Sequence, residues 1–321
     1  MLSGGYPLLV GLALSVTKPD ELGDVKSGSF YFAYIGVDGA ERKLLVRHLQ
    51  PVDATRPPVC LLHFTSGHSG NMLPAARELC ASGYPTYVPD LPHHGMSSPT
   101  NRFFEDALSA LCGLCRHIRE RHAGRKIGLV GSSLGGDLAV LVVLSEAHRQ
   151  RTLGIEPSVG SAVGQGIITL WQRDVARHFS LGARIINATE PIPVQWLMPL
   201  GIHTSFLFRP RQLYESPHLR RQFRDDPLRR RSFPAALVIL GNRFRLSHVE
   251  SGVETPTLIL VGTQDRIVRL RYEHRVYRGL SRFLNNIEMQ ILEGASHGMF
   301  EEHVCEAVHA VDRWFRTTLS K

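Results

Sequence analysis

Ser133 lies in Gly131-Ser132-Ser133-Leu134-Gly135, between an apolar run, Lys126 to Val130, and a helix-like run, Leu134 to Arg149. A strand that turns sharply into a helix through Gly-x-Ser-x-Gly lifts the central hydroxyl above the sheet. The glycines leave room where a Cβ would collide with the neighbouring strand or helix. The first free N–H groups of the helix point to where an oxyanion would form. A bare Gly-x-Ser-x-Gly recurs by chance; its place between strand and helix is what gives it weight. The chemistry it suggests is nucleophilic attack on a carbonyl, which needs a base and an acid.

Both are found downstream. Pro256 to Gly262 is a short continuous apolar run of the buried parallel-strand type, and Asp265 follows at its carboxyl end. Open α/β sheets keep their ligands at that end. A second strand-like run, Ile287 to Leu292, leads into Glu293-Gly294-Ala295-Ser296-His297. Taken singly, Asp265 reads equally well as a cap for a helix beginning near Val268, and His297 as a solvated loop histidine. Taken together, in the order serine, acid, histidine and each after a strand, they favour a triad. Ser133 would attack, His297 would move the proton, and Asp265 would orient the imidazole and stabilise its cation.

These residues and three further stretches carry a resemblance to the α/β-hydrolase superfamily, within it to the monoacylglycerol lipase, lysophospholipase and esterase group (serine aminopeptidase-like hydrolases). His63-Phe64-Thr65-Ser66-Gly67-His68-Ser69-Gly70 is similar to that group's oxyanion loop, His-Gly-x-Gly-x-His-Ser-Gly. Asp90-Leu91-Pro92-His93-His94-Gly95-Met96-Ser97 is similar to its Asp-x-Arg-Gly-His-Gly-x-Ser segment. Asp226-Pro227-Leu228 matches an Asp-Pro-Leu late in the cap of many members. The likeness covers roughly residues 28 to 319 and is weakest between about 165 and 250. It implies a mostly parallel eight-stranded sheet flanked by helices, with an inserted helical cap, and no cofactor. It also implies an oxyanion hole made by the backbone N–H groups of Thr65 and Leu134. Phe64 stands where the group usually has glycine, which calls the geometry of that loop into question.

The intervening elements fit this outline. Ser29 to Ile35 and Arg42 to Leu49 read as an antiparallel hairpin across Val37-Asp38-Gly39-Ala40. From Val59 onward, strands alternate with helices predicted over Asn71–Ser82, Phe103–His122, Leu134–Arg149, Val268–Leu280 and Phe300–Leu319. The expected division is an N-terminal extension (1–27), a core in two parts (28–163 and 254–321) and a cap (164–253) inserted after the sixth sheet strand. Candidate substrate-binding residues are Phe64 and His68 in the oxyanion loop, with Trp171, Trp196, Phe206 and Phe208 in the cap. Packing within the cap is the competing reading for those aromatics. Asp137 reads as a first-turn helix residue suited to the helix dipole, not as a catalytic group.

The chain has 321 residues, 43% of them apolar, and a net charge of +8. Five lysines stand against 32 arginines, many clustered in the cap from Arg209 to Arg245. That cluster reads either as a solvated face or as a grip for an anionic substrate or carrier. No basic recognition helix or aromatic-basic interleaving suggests nucleic acid. His63, His68, His93 and His94 lack compact metal-ligand spacing, so no metal is expected. The five cysteines read as reduced core or near-core residues, which suits a cytoplasmic protein. Pro7 to Val16 is apolar, yet too short to span a bilayer and without a preceding basic residue.

The residues thus point to a carboxylic ester as small-molecule substrate. A thioesterase, lactonase or acyltransferase with the same triad stays open, as does a slow-turnover ligand-binding relative. Oligomeric state is not readable from the sequence.

Overall fold

The computed structural model describes residues 13–15, 20–22, 25–169, 172, 201–234, 249 and 251–319. Three-residue strands β1 (Ala13–Ser15) and β2 (Asp20–Leu22) lie antiparallel on β3 (Val25–Ile35), which pairs along its whole length with β4 (Glu41–Pro51). The hairpin therefore begins four residues before the predicted Ser29. The sheet continues through β5 (Val59–Leu62), β6 (Thr86–Pro89), β7 (Ile127–Ser132) and β8 (Val159–Gln165). After small strands β9 (Gly201–His203) and β10 (Ser232–Pro234), which pair with each other, it is completed by β11 (Thr257–Gly262) and β12 (Ile287–Leu292).

The spatial order is β1-β3-β4-β6-β5-β7-β8-β11-β12, with β2 also on β3. From β6 to β12 every pairing is parallel, while β4 runs antiparallel to β6. The eight strands expected from the sequence are all present. The two additional short ones cover an edge whose backbone groups would otherwise be unpaired.

Continuous apolar strands bury both faces, and alternate residues enter two separate cores. Cys60, Leu62, Leu129, Ile259 and Val261 face one core with α2 (Phe103–Arg121), α3 (Leu134–Leu153) and α6 (Leu270–Leu280). Val59, Leu61, Val130, Leu258 and Leu260 face the other, with α1 (Ser69–Ala81) and α8 (Val304–Thr318). The unbroken run Leu138 to Leu144 is buried on every side of α3. Between β8 and β11 lie also a 3-10 turn (Thr204–Phe206), α4 (Pro210–Leu213) and α5 (Pro217–Asp225).

Three expectations need correction. The helix predicted over Phe300–Leu319 is two, α7 (Met299–Glu302) and α8, parted at His303. The break turns Glu301 and Glu302 toward the segment after α4, where Glu301 accepts from Tyr214 and Glu302 from the Glu215 N–H at 2.9 Å. Four cysteines are buried, but Cys305 is exposed, because it falls on the outward face of α8. The helix after Asp265 starts at Leu270, not Val268, because the Asp265 carboxylate holds the backbone of the intervening turn.

Asp137 sits in the first turn of α3, as expected. It is buried, and its oxygens accept from Ile168 N–H (3.2 Å) and Thr169 N–H (2.6 Å). It thereby ties the chain leaving β8 to the first turn of α3. Burial pushes its carboxyl up to about 7. An acid whose folded value is raised gives stability below its unfolded value, lost as pH rises through the folded one. Stability should therefore fall between about pH 4 and pH 7, with up to ~4 kcal/mol of that slope from Asp137. Urea denaturation across this range should show a shallower fall in Asp137→Asn, whose amide oxygen still accepts a backbone bond.

Candidate active site

The elbow is built on close backbone approach. A Cβ at Gly135 would lie 2.3 Å from the Leu62 carbonyl oxygen and 2.8 Å from that of His63. One at Gly131 would lie 2.0 Å from the Gly135 carbonyl oxygen, so neither position admits a side chain without moving backbone. Between them Ser133 adopts φ 52°, ψ −115°, a conformation that costs a non-glycine residue about 1–3 kcal/mol. It is held there by its N–H, which donates to the Gln165 carbonyl at 2.6 Å.

The loops after β11 and β12 are joined before their side chains meet. Thr263 N–H donates to the Leu292 carbonyl (3.2 Å), Gln264 N–H to that of Ala295 (3.0 Å), and Gly294 N–H to Thr263 Oγ1 (2.9 Å). On this frame Asp265 divides its oxygens. Oδ1 accepts from Ile267 N–H (2.8 Å) and Val268 N–H (2.7 Å), while Oδ2 accepts from His297 Nδ1 at 2.6 Å. Both side chains are buried. With Nδ1 carrying the donated proton, Nε2 is the nitrogen left to act as a base. Asp265 thus holds the turn ahead of α6 through one oxygen and His297 through the other; it does not cap the helix, whose N-cap is Arg269.

The exit of β8 touches both this pair and the serine. The Gln165 carbonyl holds Ser133, and the His297 ring lies against Gly166, where a Cβ would come 2.6 Å from Cε1. Ser132 Oγ donates to Gln165 Oε1 at 2.7 Å, which turns the Gln165 amide nitrogen toward Asp265 Oδ2 at 3.5 Å. Sequence reading did not single out Gln165 or Gly166, since neither stands in a recognisable motif.

Thr65 lies in the loop after β5 and Leu134 at the start of α3. Among the described residues neither N–H donates to another protein group. The Phe64 ring turns away into a cluster with Phe208, Leu213, Tyr214 and Phe223, its centroid 5.8 Å from that of Phe223. Phe208 is buried there too. Trp171 and Trp196 lie outside the described residues, as does the side chain of Phe206.

Ser66, in the second glycine position of the loop, holds φ 75°. Its Oγ donates to the Arg230 carbonyl at 2.5 Å and accepts from Arg229 Nε at 3.2 Å, and its own carbonyl accepts from Arg230 N–H at 3.0 Å. His68 Nδ1 accepts from Gly70 N–H at 3.0 Å, so Nε2 carries the proton and donates to Asp226 Oδ2 at 2.8 Å. The Asp226-Pro227-Leu228-Arg229-Arg230 stretch therefore braces the oxyanion loop from across the chain. No local pattern marks this contact, which spans 158 residues between His68 and Asp226.

The remaining loop histidines are held in the neutral form. His63 donates from Nδ1 to the Phe64 carbonyl (2.8 Å) and accepts at Nε2 from Leu91 N–H (2.9 Å); burial pushes it down to about 3. Burial likewise lowers His94. Asp226→Ala would leave the His68 Nε2–H without its acceptor. Denaturant unfolding should show a loss of about 1–3 kcal/mol, whereas Asp225→Ala, at an exposed position, should show almost none.

A family model described as Serine aminopeptidase, S33 matches residues 53–304. No curated protein sequence matches the chain. Among solved structures it is similar to the monoacylglycerol lipase of Paleococcus ferrophilus, at 20% identity and TM-score 0.63, covering 84% of this chain and 97% of that one. It is similar to a thermostable carboxyl esterase from Bacillus coagulans in complex with glycerol, at 13% identity and TM-score 0.67, covering 90% and 98%. A soluble variant of Saccharomyces cerevisiae monoglyceride lipase with a substrate analogue aligns at 15% identity and TM-score 0.61, covering 97% and 98%. At these identities the structures speak for the fold. No helix among the described residues is long and apolar enough to cross a membrane. With the elbow serine, the paired acid and histidine, and a match across most of its length, the chain belongs to the serine aminopeptidase S33 family of α/β-hydrolases.

Proposed function

We propose that this protein is a serine hydrolase that cleaves a carboxylic ester through an acyl-enzyme on Ser133. The observation that carries the reading is the buried 2.6 Å hydrogen bond from His297 Nδ1 to Asp265, together with an elbow serine constrained to φ 52° whose N–H is held by the same β8 exit that touches His297. In this mechanism Ser133 Oγ attacks the ester carbonyl and its proton passes to His297 Nε2. The Thr65 and Leu134 N–H groups receive the developing oxyanion, each worth about 2.7–4 kcal/mol to the transition state. Collapse expels the alcohol, protonated by His297. Water, deprotonated by the same nitrogen, then releases the acid. Asp265 keeps the imidazole oriented throughout.

An acylglycerol-like ester is the substrate class that the neighbouring lipases and esterases support. Aminopeptidase action, suggested by the family's description, would need a carboxylate to grip a free ammonium group. Three acids of the 201–234 segment are already engaged: Asp226 with His68, Asp225 with Arg224, and Glu215 with Arg266. That supports the ester over the peptide.

A fluorophosphonate probe should label Ser133, and labelling should vanish in Ser133→Ala. Asp265→Asn should fold normally and lower turnover of p-nitrophenyl esters by about 10⁴. Unchanged turnover in that variant, or label on another residue, would overturn the assignment.

A further inference from the structure

A cleft of about 730 Å³ opens on the side of the Asp265 loop, between the start of α4 and the first turn of α6. Arg209 and Arg211 form one wall and Arg266, Arg269 and Arg271 the other, with Thr263, Gln264 and Asp265 also in its lining. Neither Ser133 nor His297 lines it. All five arginines are exposed. Its volume is that of a small-molecule site.

The charge gathered there has almost no internal counterweight. Glu215 meets Arg266 at 3.6 Å, but no acid among the described residues pairs with Arg209, Arg211, Arg269 or Arg271. Asp265 is committed to His297, Ile267 and Val268. Glu273, the first-turn acid of α6, is buried, and burial raises it well above the usual carboxylate range. Burial thus disfavours the negative charge that a first-turn acid would otherwise place there.

The helix itself adds positive potential. Arg269 occupies its N-cap, a position that prefers Ser, Thr, Asp or Asn, and makes no side-chain cap bond. Arg271 follows in the first turn, where the helix dipole disfavours cations. Five guanidinium groups on concave walls over an open helix N-terminus focus potential for an anion. Such an arrangement opposes folding stability unless a ligand's negative charge offsets it.

We propose that this cleft binds a small diphosphate, with guanidinium groups from both walls gripping two phosphoryl groups and the α6 N-terminus facing one of them. The site adjoins the Asp265 loop, but neither Ser133 nor His297 lines it. Binding is read without turnover, so either reading can fail while the other stands.

Isothermal titration of the full chain with inorganic pyrophosphate, and separately with ADP, tests it at low and high salt. One-to-one saturable binding is expected, weakening as salt rises. Arg209→Ala/Arg271→Ala, with unchanged thermal unfolding, should lose at least about tenfold in affinity. Arg221→Gln/Arg224→Gln, at exposed positions of α5, should bind like the parent. Equal affinity for the two probes identifies the bare diphosphate as the recognised group; tighter ADP binding adds a nucleoside. Phosphatidylglycerol vesicles form a third arm. Saturation by neither probe at millimolar concentration, equal losses in both double variants, or binding to vesicles alone would overturn the proposal.

Discussion

The two oxygens of Asp265 are shared between the chain that follows them and the ring across from them, and the site hangs on that division. Because Oδ1 holds the N–H groups of Ile267 and Val268, the carboxylate cannot swing without unmaking the turn into α6. Because Oδ2 holds Nδ1 of His297, the same restraint reaches the base. An ionised carboxylate removed from water costs several kcal/mol unless donors surround it. Here four donors do so, two of them backbone. The 263–265 and 293–297 loops are also bonded to each other directly, so the alignment of acid and histidine rests on main chain rather than on side-chain packing alone.

The oxyanion loop depends on a different part of the chain. Ser66 adopts a positive φ that glycine would take freely, and the backbone of Arg230 and the side chain of Arg229 hold it there. His68 is clamped between Gly70 and Asp226. The segment between β8 and β11 is thus part of the scaffold of the site as well as its surroundings. Phe64 strengthens the same link, since its ring joins the apolar cluster of that segment.

Burial of acids shapes the surrounding charge. Asp137 and Glu301 are pushed up to about 7, and Glu273 is raised well above the usual carboxylate range by burial and by the nearby Asp265 and Asp137. These groups tie loops together or fill the interior while adding little negative charge at low pH. The arginines along the rim of the Asp265 loop are consequently left to set the sign of the local potential.

The placement of Ser133, Asp265 and His297 at strand ends was legible in the sequence because each follows a strand-like run, and strand ends converge in a parallel sheet. The two layers of core were legible for the same reason: alternate residues of a strand must face opposite sides. Other features were decided only in three dimensions. Gln165 and Gly166 matter through what their backbone touches, which no residue type announces. Asp226 meets His68 across 158 positions, Glu301 reaches Tyr214, and the five arginines of the cleft come from two distant stretches. A sequence records the periodicity that sets local structure, but contacts between remote segments depend on how completed elements pack, and that geometry exists only in the folded chain.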